Sequence, residues 1–431
     1  MTGTTDPVTS AADEVELPAT LGRTDLPLSG VRVLDLTMVW AGPFGTKQLV
    51  DAGAQVIKVE GPGRTDLVRS LTIPDDTVDR PWDTSRYFHE YNRNKLGIAV
   101  DVRQEAGRKI LLDLAVRSDV LIDNFRPGVL DRLGLGFARL HELNPRLIAV
   151  SLPGYSGFEP ERALPGYGPN IEQMSGLAHL QGYPGGPPQK SGISYGDPVG
   201  GLGGAAAVLT ALFQRERTGV GTFVEAGQRN LLMGFVGDAI VAHQLGASLT
   251  RNGNRSPSFA PQGVYPCADP DTWVALTVAG DEQWPVLCDV LGRSDLAADP
   301  ELATLAGRRA AHDRLDTEIG TWTRQRTNRE VAQAMQAGGI AASAVLGPRE
   351  LADDPHLTAR EFFREVRHPD LGTMRLTTPT WRFDEVEVGL AHAPSLGQHN
   401  RYVLREVLGY DDETVAELEA AGVVATRPAN R

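Results

Sequence analysis

The first apolar run is Val31–Thr37, VRVLDLT, built from β-branched and aliphatic residues. It breaks at Gly42-Pro43 and restarts with helical spacing over Phe44–Ala52, which predicts a strand followed by a helix. Further strands are expected at Ala54–Val59, Leu96–Val102, Asp119–Ile122 and Leu147–Leu152. Glu105–Arg117 sets Ile110, Leu111, Leu114 and Ala115 on one helical face, and Leu130–Leu133 reads as a short helix. A loop rich in Pro, Asp and Arg reaches from the second strand to about Arg86. Strands alternating with helices predict a parallel, helix-covered sheet.

Residues 153–200 change character, with Pro153-Gly154, Pro165-Gly166 and Pro184-Gly185-Gly186-Pro187-Pro188 in quick succession. A loop this long inside an α/β unit is more often functional than decorative. A helix from Pro198 to about Arg217, a strand at Thr222–Glu225 and a helix over Arg229–Leu245 are expected next. From Arg251 the pattern differs: a loop, a strand at Trp273–Val278, helices at 282–291, 312–325 and 328–337, and a strand at Ile340–Val345. Short strands follow from about Phe362, and helices near 400–408 and 412–420 close the chain. This predicts an α/β domain, a smaller α+β domain and a tail returning to the first. The boundaries are a disordered tail at 1–27, the first domain at 28–225, a linker helix at 226–250, the small domain at 251–365 and the return at 366–431.

Composition narrows the function. The chain has 431 residues, 41% hydrophobic and 23% charged, which is ordinary for a globular protein. Its 42 Lys and Arg against 55 Asp and Glu give a net charge of −13, which argues against general nucleic-acid binding. A few placed arginines still suffice for a small anionic ligand. Cys267 and Cys288 lack ligand spacing and read as buried apolar side chains. No apolar run is read as reaching the ~20 residues of a membrane span, and the polar, acidic N-terminus does not resemble a signal peptide. A cytoplasmic location is expected.

The familiar chemical signatures are missing. There is no G-x-G-x-x-G after the first strand, no P-loop and no H-x-x-x-H spacing among the nine histidines. What remains is Ser194-Tyr195-Gly196-Asp197-Pro198-Val199-Gly200-Gly201-Leu202-Gly203-Gly204, followed by AAAVLTALF. Asp197 before Pro198 is a strong helix N-cap signal. Among small residues at a helix start, it can equally be a presented nucleophile, ionised near its reference pKa. The neighbouring glycines would let backbone N–H groups reach a thioester oxygen. The two readings are compatible.

From Leu28 to about Val424 the chain resembles the class III CoA-transferases, a family that includes formyl-CoA:oxalate and carnitine CoA-transferases. The resemblance rests on LSGVRVLDLTMVWAGPFGTKQLVDAGAQVIKVEGP, YFHEYNRNKLGIAVDV, DVLIDNFRPGVLDRLGLG, ELNPRLIAVSLPGYSG, ISYGDPVGGLGGAAAVLTALFQRERTGVGTFVEAG and APSLGQHN, in that order. It implies that Asp197 is the nucleophile. The donor acyl group would pass to it as a mixed anhydride. CoA thiolate would then form an aspartyl-CoA thioester, and the acceptor acid would take the CoA. It also implies CoA binding by Val39, Trp40, Ala41, Asn124, Phe125, Arg126 and Arg132, and arginine is well suited to phosphate. Tyr167 and Gly168 are assigned to the substrate pocket. Lys58, Asn94 and Lys95 are read as surface or loop residues outside the site. CoA and acyl-CoA are expected as substrates, with no permanently bound cofactor and no metal.

The departures bear on chemistry. Formyl-CoA transferase carries glutamine where this chain has Trp40, arginine where Gly61 stands, and Tyr-Glu in place of Tyr167-Gly168. The related 2-methylacyl-CoA racemases use His-Asp there, and racemisation needs a second group to exchange the α-proton. The missing histidine favours transfer, and Trp40 points to a larger or more apolar acyl group than formate or oxalate. The resemblance further implies a Rossmann-like large domain built from both chain ends and an interlocked homodimer. The alternatives are a racemase-like isomerase and a non-catalytic CoA-binding protein. The expected partners are an acyl-CoA and a small carboxylic acid, without nucleic acid or membrane.

Overall fold

The computed structural model describes residues 15–71, 78–158, 160–384 and 386–429. The chain divides into two compact units. The first comprises the chain up to Leu177, Lys190–Leu245 and Glu361–Arg431, and the second Ala178–Gln189 with Gly246–Arg360.

The first unit is built on a six-stranded, wholly parallel sheet. Its strands are β1 (Arg32–Asp35), β2 (Gln55–Glu60), β3 (Leu96–Ala99), β4 (Val120–Asp123), β5 (Ile148–Ser151) and β6 (Phe223–Glu225), in the spatial order β3-β2-β1-β4-β5-β6. That order reverses direction between β1 and β4. In open parallel sheets a crevice forms outside the carboxyl ends of the strands at such a point. The helices are α1 (Ala41–Asp51), α2 (Arg86–Asn92), α3 (Glu105–Val116), α4 (Val129–Arg132), α5 (Phe137–Leu143), α6 (Gly168–Met174), the single turn α7 (Leu177–Leu180), most of which belongs to the second unit, α8 (Gly196–Thr218), α9 (Gln228–Met233) and α10 (Gly237–Gln244). Val33, Leu49, Val56, Ile122, Val150 and Val208 form the core on the α1/α8 face. Leu34, Ile57, Leu111, Leu121 and Leu140 form the core on the other. Strands buried on both faces explain why they read as continuous apolar runs rather than alternating ones.

α1 and α8 meet backbone to backbone. A β-carbon added at Gly45 would lie 2.4 Å from the Gly201 carbonyl oxygen, and one at Gly201 2.3 Å from the Ala41 oxygen. Only glycine allows this approach. α8 is long and apolar enough, by length and composition, to cross a membrane, contrary to the expectation of no such run. Its glycine face is instead packed on α1 and on Leu152, and it serves as a core helix of the sheet.

The second unit carries an antiparallel sheet of β7 (Gln262–Pro266), β8 (Trp273–Thr277) and β9 (Ala341–Val345), in the order β7-β8-β9. Helices Gln283–Leu291, His312–Thr323 and Asn328–Ala337 cover it over a core of Val274, Leu276, Leu287, Val331 and Met335. Cys267 and Cys288 are buried free thiols in that core. A hairpin of β10 (Phe363–His368) and β11 (Gly372–Thr377) belongs to the first unit, as does the closing helix Asp412–Ala420.

Several expectations need correction. Residues 1–14 lie outside the described residues, but the rest of the expected tail is packed. Thr20 and Leu26 are buried, and the Glu16 carbonyl lies 2.9 Å from His399 Nε2. The linker helix at 226–250 is two helices parted by a 3-10 turn at Gly234–Val236, where glycines interrupt the pattern. The segment Ala178–Gln189, assigned to the first domain, clusters with the second unit. Arg251, also of the second unit, donates to its Gly186 carbonyl at 3.1 Å. The helices α2 and α5 fall where no element was assigned, and the strand β7 falls in the expected loop after Arg251.

Candidate active site

The turn between β1 and α1 is held at successive residues. The Asp35 carboxylate accepts from the Thr37 N–H at 2.9 Å and from the Thr46 hydroxyl at 2.6 Å. Lys58 donates to the Thr37 carbonyl and pairs with Asp66 at 2.8 Å. Asn124, just past β4, accepts from the Met38 N–H at 2.9 Å and donates to the Met38 carbonyl at 2.7 Å. Asp66 accepts the Val39 N–H at 2.9 Å. Val39 itself has φ +70°, a strained backbone for a β-branched residue. Such a conformation persists only where its surroundings over-determine it, and these four contacts supply that constraint. Its effect is to aim the first N–H of α1 at one point.

That point is Asp197. The Ala41 N–H, unpartnered within its own helix, faces the Asp197 carboxylate closely enough to favour its charged form. Asp197 lies in the first turn of α8, with Tyr195 as the N-cap residue. The N-cap reading of Asp197 is therefore corrected: its carboxylate turns to the neighbouring helix, where the Gly45–Gly201 approach brings α1 within reach. Burial pushes its pKa up to about 6, and the Ala41 N–H offsets only part of that. At pH 7 about nine-tenths of it is still ionised.

Gly168 closes the other side. A β-carbon there would lie 1.9 Å from Asp197 Oδ2 and 2.5 Å from the Ser194 β-carbon. Tyr167 is the N-cap residue of α6 and is largely exposed. The loop leading into Asp197 is stapled to α6 by Glu172, which accepts from the Ser191 N–H at 2.6 Å and hydroxyl at 2.8 Å.

An aromatic wall completes the site. Trp40 stacks on Tyr91 with ring centroids 5.7 Å apart, Tyr87 meets Tyr91 edge-on at 4.9 Å, and Phe44 meets Tyr91 at 5.9 Å. The charge of Asp197 acts on both tyrosines, adding to a burial that already pushes their phenols well up. Tyr87 and Tyr91 stand four residues apart on one face of α2. His89, between them, faces the other way into a buried group with His368 and His392.

Val39, Trp40, Ala41 and Asn124 thus gather at the β1/β4 crevice. Asn124 spends its side chain on the Met38 backbone and shapes the turn. Phe125 is half-buried and donates its N–H to Asp123 at 2.9 Å. Arg126 and Arg132 are exposed, on the loop after β4 and on α4.

Lys58, Asn94 and Lys95 are not surface residues: they are 0%, 2% and 1% exposed. Lys95 pairs with Asp35 at 3.1 Å, and burial brings its pKa down to about 8 although Asp35 opposes this. The signal missed was a lysine inside a strand buried on both faces. Tyr87 and Tyr91 were missed because no element was assigned over 87–95, although RYFHEYN carries an i, i+4 aromatic pair. Asp123 was also overlooked. It lies beside Ser151 and Glu225 in the register of β4, β5 and β6, and burial raises its pKa to about 7.

A carboxylate presented at a helix N-terminus, at the switch point of a parallel sheet, suits covalent acyl chemistry. The profile of CoA-transferase family III matches residues 28–400. The chain belongs to this family. It is a CoA-transferase of class III, acting on CoA thioesters. The succinyl-CoA–D-citramalate CoA-transferase of Chloroflexus aurantiacus is 34% identical to it over 406 residues, spanning 92% of this chain and 98% of that protein. The formyl-CoA:oxalate CoA-transferase of Streptomyces coelicolor is 32% identical over 413 residues, spanning 92% and 99%. Among solved structures, a CAIB/BAIF family protein from Brucella suis superposes with a TM-score of 0.79 at 30% identity, covering 89% of this chain and 99% of that one.

Proposed function

We propose that this CoA-transferase carries CoA from an acyl-CoA thioester to a free carboxylic acid through a covalent intermediate on Asp197. The observation that carries the reading is the Asp197 carboxylate in the first turn of α8, facing the first N–H of α1 and the open side of Gly168. The carboxylate oxygen attacks the thioester carbon, an acyl-aspartyl anhydride forms and CoA leaves as the thiolate. The thiolate then attacks the aspartyl carbonyl, releasing the donor as its free carboxylate and leaving an aspartyl-CoA thioester. The acceptor carboxylate reverses these steps. A carboxylate of raised pKa is also the better nucleophile of its class, provided it stays ionised.

Val39, Trp40 and Ala41 line the reacting end of CoA, with Asn124 and Phe125 across the crevice. Arg126 and Arg132, exposed and on the same edge, take its phosphates. Tyr167 and Gly168 border the acyl group. Racemisation is the weaker reading, since Tyr87 and Tyr91 are neutral at pH 7 and His89 faces away from Asp197. The exposed apolar side chains Leu202, Leu209 and Phe213 of α8, Ile240 and Val241 of α10, and Leu245 just past it support a homodimer, in the interlocked form the resemblance implies. Substrates held as CoA thioesters support a cytoplasmic location.

The test is mass spectrometry of the peptide bearing Asp197 after incubation with acyl-CoA. An acyl or CoA adduct is expected, and it is lost in Asp197→Asn together with transfer. Transfer that persists in Asp197→Asn, or α-deuterium wash-in without an acceptor acid, overturns the reading.

A further inference from the structure

Lys95 is a buried charge that the transfer chemistry leaves unused. It stands where the chain passes from α2 into β3. Asn94 makes that turn at φ +61°, donating to the Gly389 carbonyl at 2.8 Å and accepting from the Ala391 N–H at 2.7 Å. The Lys95 side chain then runs beneath α1, and its ammonium meets four acceptors. They are Asp35 Oδ2 at 3.1 Å, the Pro43 carbonyl at 3.1 Å, the Thr46 hydroxyl at 2.7 Å and Asn92 Oδ1 at 2.9 Å. These acceptors belong to the end of β1, the first two turns of α1 and the last turn of α2. Lys95, Asp35, Thr46 and Asn92 are each at most 1% exposed, so none of them reaches a substrate.

A buried ammonium is weak grounds for stability, since well-packed apolar side chains often serve as well. What it adds is direction, because several bonds of fixed geometry meet at one atom. Here they meet on the underside of the start of α1. The other side of the same turns lies against α8: a β-carbon at Gly201 would be 2.3 Å from the Ala41 carbonyl oxygen and 3.0 Å from the Gly45 nitrogen. Asp197 stands one turn before Gly201 on α8. The start of α1 is therefore gripped between Lys95 and the helix that carries Asp197. Resting on the CoA-transfer reading above, we propose that Lys95 is a positioning residue for Asp197, fixing the first turns of α1 from beneath and so setting where they stand against the carboxylate. Asn124, Lys58 and Asp66 hold the Thr37–Val39 end of the turn, which bears on CoA. Lys95 holds the α1 end, which bears on the reacting carboxylate, so its effect falls on kcat.

Label exchange between an acyl-CoA and its own free acid tests this without knowledge of the natural acceptor. Succinyl-CoA, hexanoyl-CoA and 3-phenylpropanoyl-CoA are the probes, and the pair that the native enzyme exchanges fastest is carried to the variants. Rates are referred to the folded fraction, read by circular dichroism. In Lys95→Met, kcat should fall about a hundredfold while KM for the acyl-CoA stays within about threefold. Thr46→Val keeps the branched shape but removes one acceptor of the ammonium, and it should lower kcat about tenfold. Thr46→Ser keeps the hydroxyl and loses a methyl group, and it should hold kcat within about threefold of native. Activity then follows the hydroxyl rather than the packing, which a merely structural lysine would not produce. A folded Lys95→Met with kcat within about threefold of native, or a loss confined to KM, overturns the proposal. If Lys95→Met does not fold, the Thr46 pair decides: equal losses in the two variants, or native kcat in Thr46→Val, overturn it. If that happens while the native enzyme forms an adduct on Asp197, CoA transfer stands and only the role of Lys95 falls. If the native enzyme neither exchanges label nor forms an adduct with any of the three probes, both fall.

Discussion

Replacing Gly168 by alanine separates the fit of the nucleophile from the stability of the fold. The new β-carbon would sit 1.9 Å from Asp197 Oδ2, whereas ordinary contact begins near 3.4 Å. The carboxylate must therefore move by about 1.5 Å, and a side-chain terminus can do so without unfolding anything. The Ser194 β-carbon, at 2.5 Å, must also give by about 0.9 Å. Strain of that size in a loop costs about 1 kcal/mol, and alanine at a helix start returns part of it. Activity behaves differently. A misplacement of about 1 Å at a reacting group costs about a hundredfold, and the carboxylate also moves away from the Ala41 N–H. The expected outcome is a fall of about a hundredfold in kcat/KM for CoA transfer, with Tm within about 3 °C of the native protein. Steady-state transfer kinetics and calorimetry on the same preparation measure both. Transfer within about threefold of native would falsify the claim that this approach positions the carboxylate. A collapse in Tm would show instead that the Ser194 loop, not Asp197, meets the methyl group.

Other outcomes follow from the same geometry. On the proposed reading Asp197 attacks only when ionised, and burial raises its pKa to about 6, so kcat/KM should fall tenfold per unit below pH 6 and level off above it; a midpoint near the usual carboxylate value of about 4 would show the site to be wetter than described. Asn124→Ala removes both bonds to the Met38 backbone, so the strained Val39 turn relaxes; KM for the acyl-CoA should rise about tenfold while Tm changes by only a few degrees, and an unchanged KM would sever Asn124 from the turn. Glu172→Gln keeps the shape but weakens the grip on Ser191, and a drop in kcat of about tenfold with KM unchanged is expected; a larger loss of Tm than of kcat would make Glu172 merely structural.

Acidification should destabilise the fold. Burial depresses His89 to about 3 and His368 and His399 to about 4. Above pH 6.5 these histidines are neutral folded or unfolded. Below it the unfolded chain takes up protons the fold refuses, so each costs about 2 kcal/mol by pH 5. Asp197 and Asp123, raised to about 6 and about 7, act the other way, relieving about 1 and about 2 kcal/mol over the same interval. The net loss from these groups between pH 7 and pH 5 is about 3 kcal/mol, read from urea midpoints. A midpoint that rises on acidification would contradict the burial of the histidines.

Much of this protein was legible along the chain. The parallel strands announced themselves because burial on both faces makes them aliphatic throughout, and Gly-Asp-Pro before a small-residue run marked the start of α8. Asp197 stood out as a candidate by itself, as either a helix cap or a nucleophile. The tertiary structure removed the cap reading, because Tyr195 holds the N-cap position and the carboxylate faces a partner 156 positions away, the Ala41 N–H. That partner comes within reach only through the Gly45–Gly201 approach, a contact between helices that no local pattern encodes. The ion pairs of Lys58 and Lys95 were misread for the same reason. Lysine usually marks a surface, and only the sheet around it shows whether a buried aspartate is waiting. Sequence periodicity records which faces are buried. Which charges meet beneath those faces is decided by the packing of segments far apart in the chain.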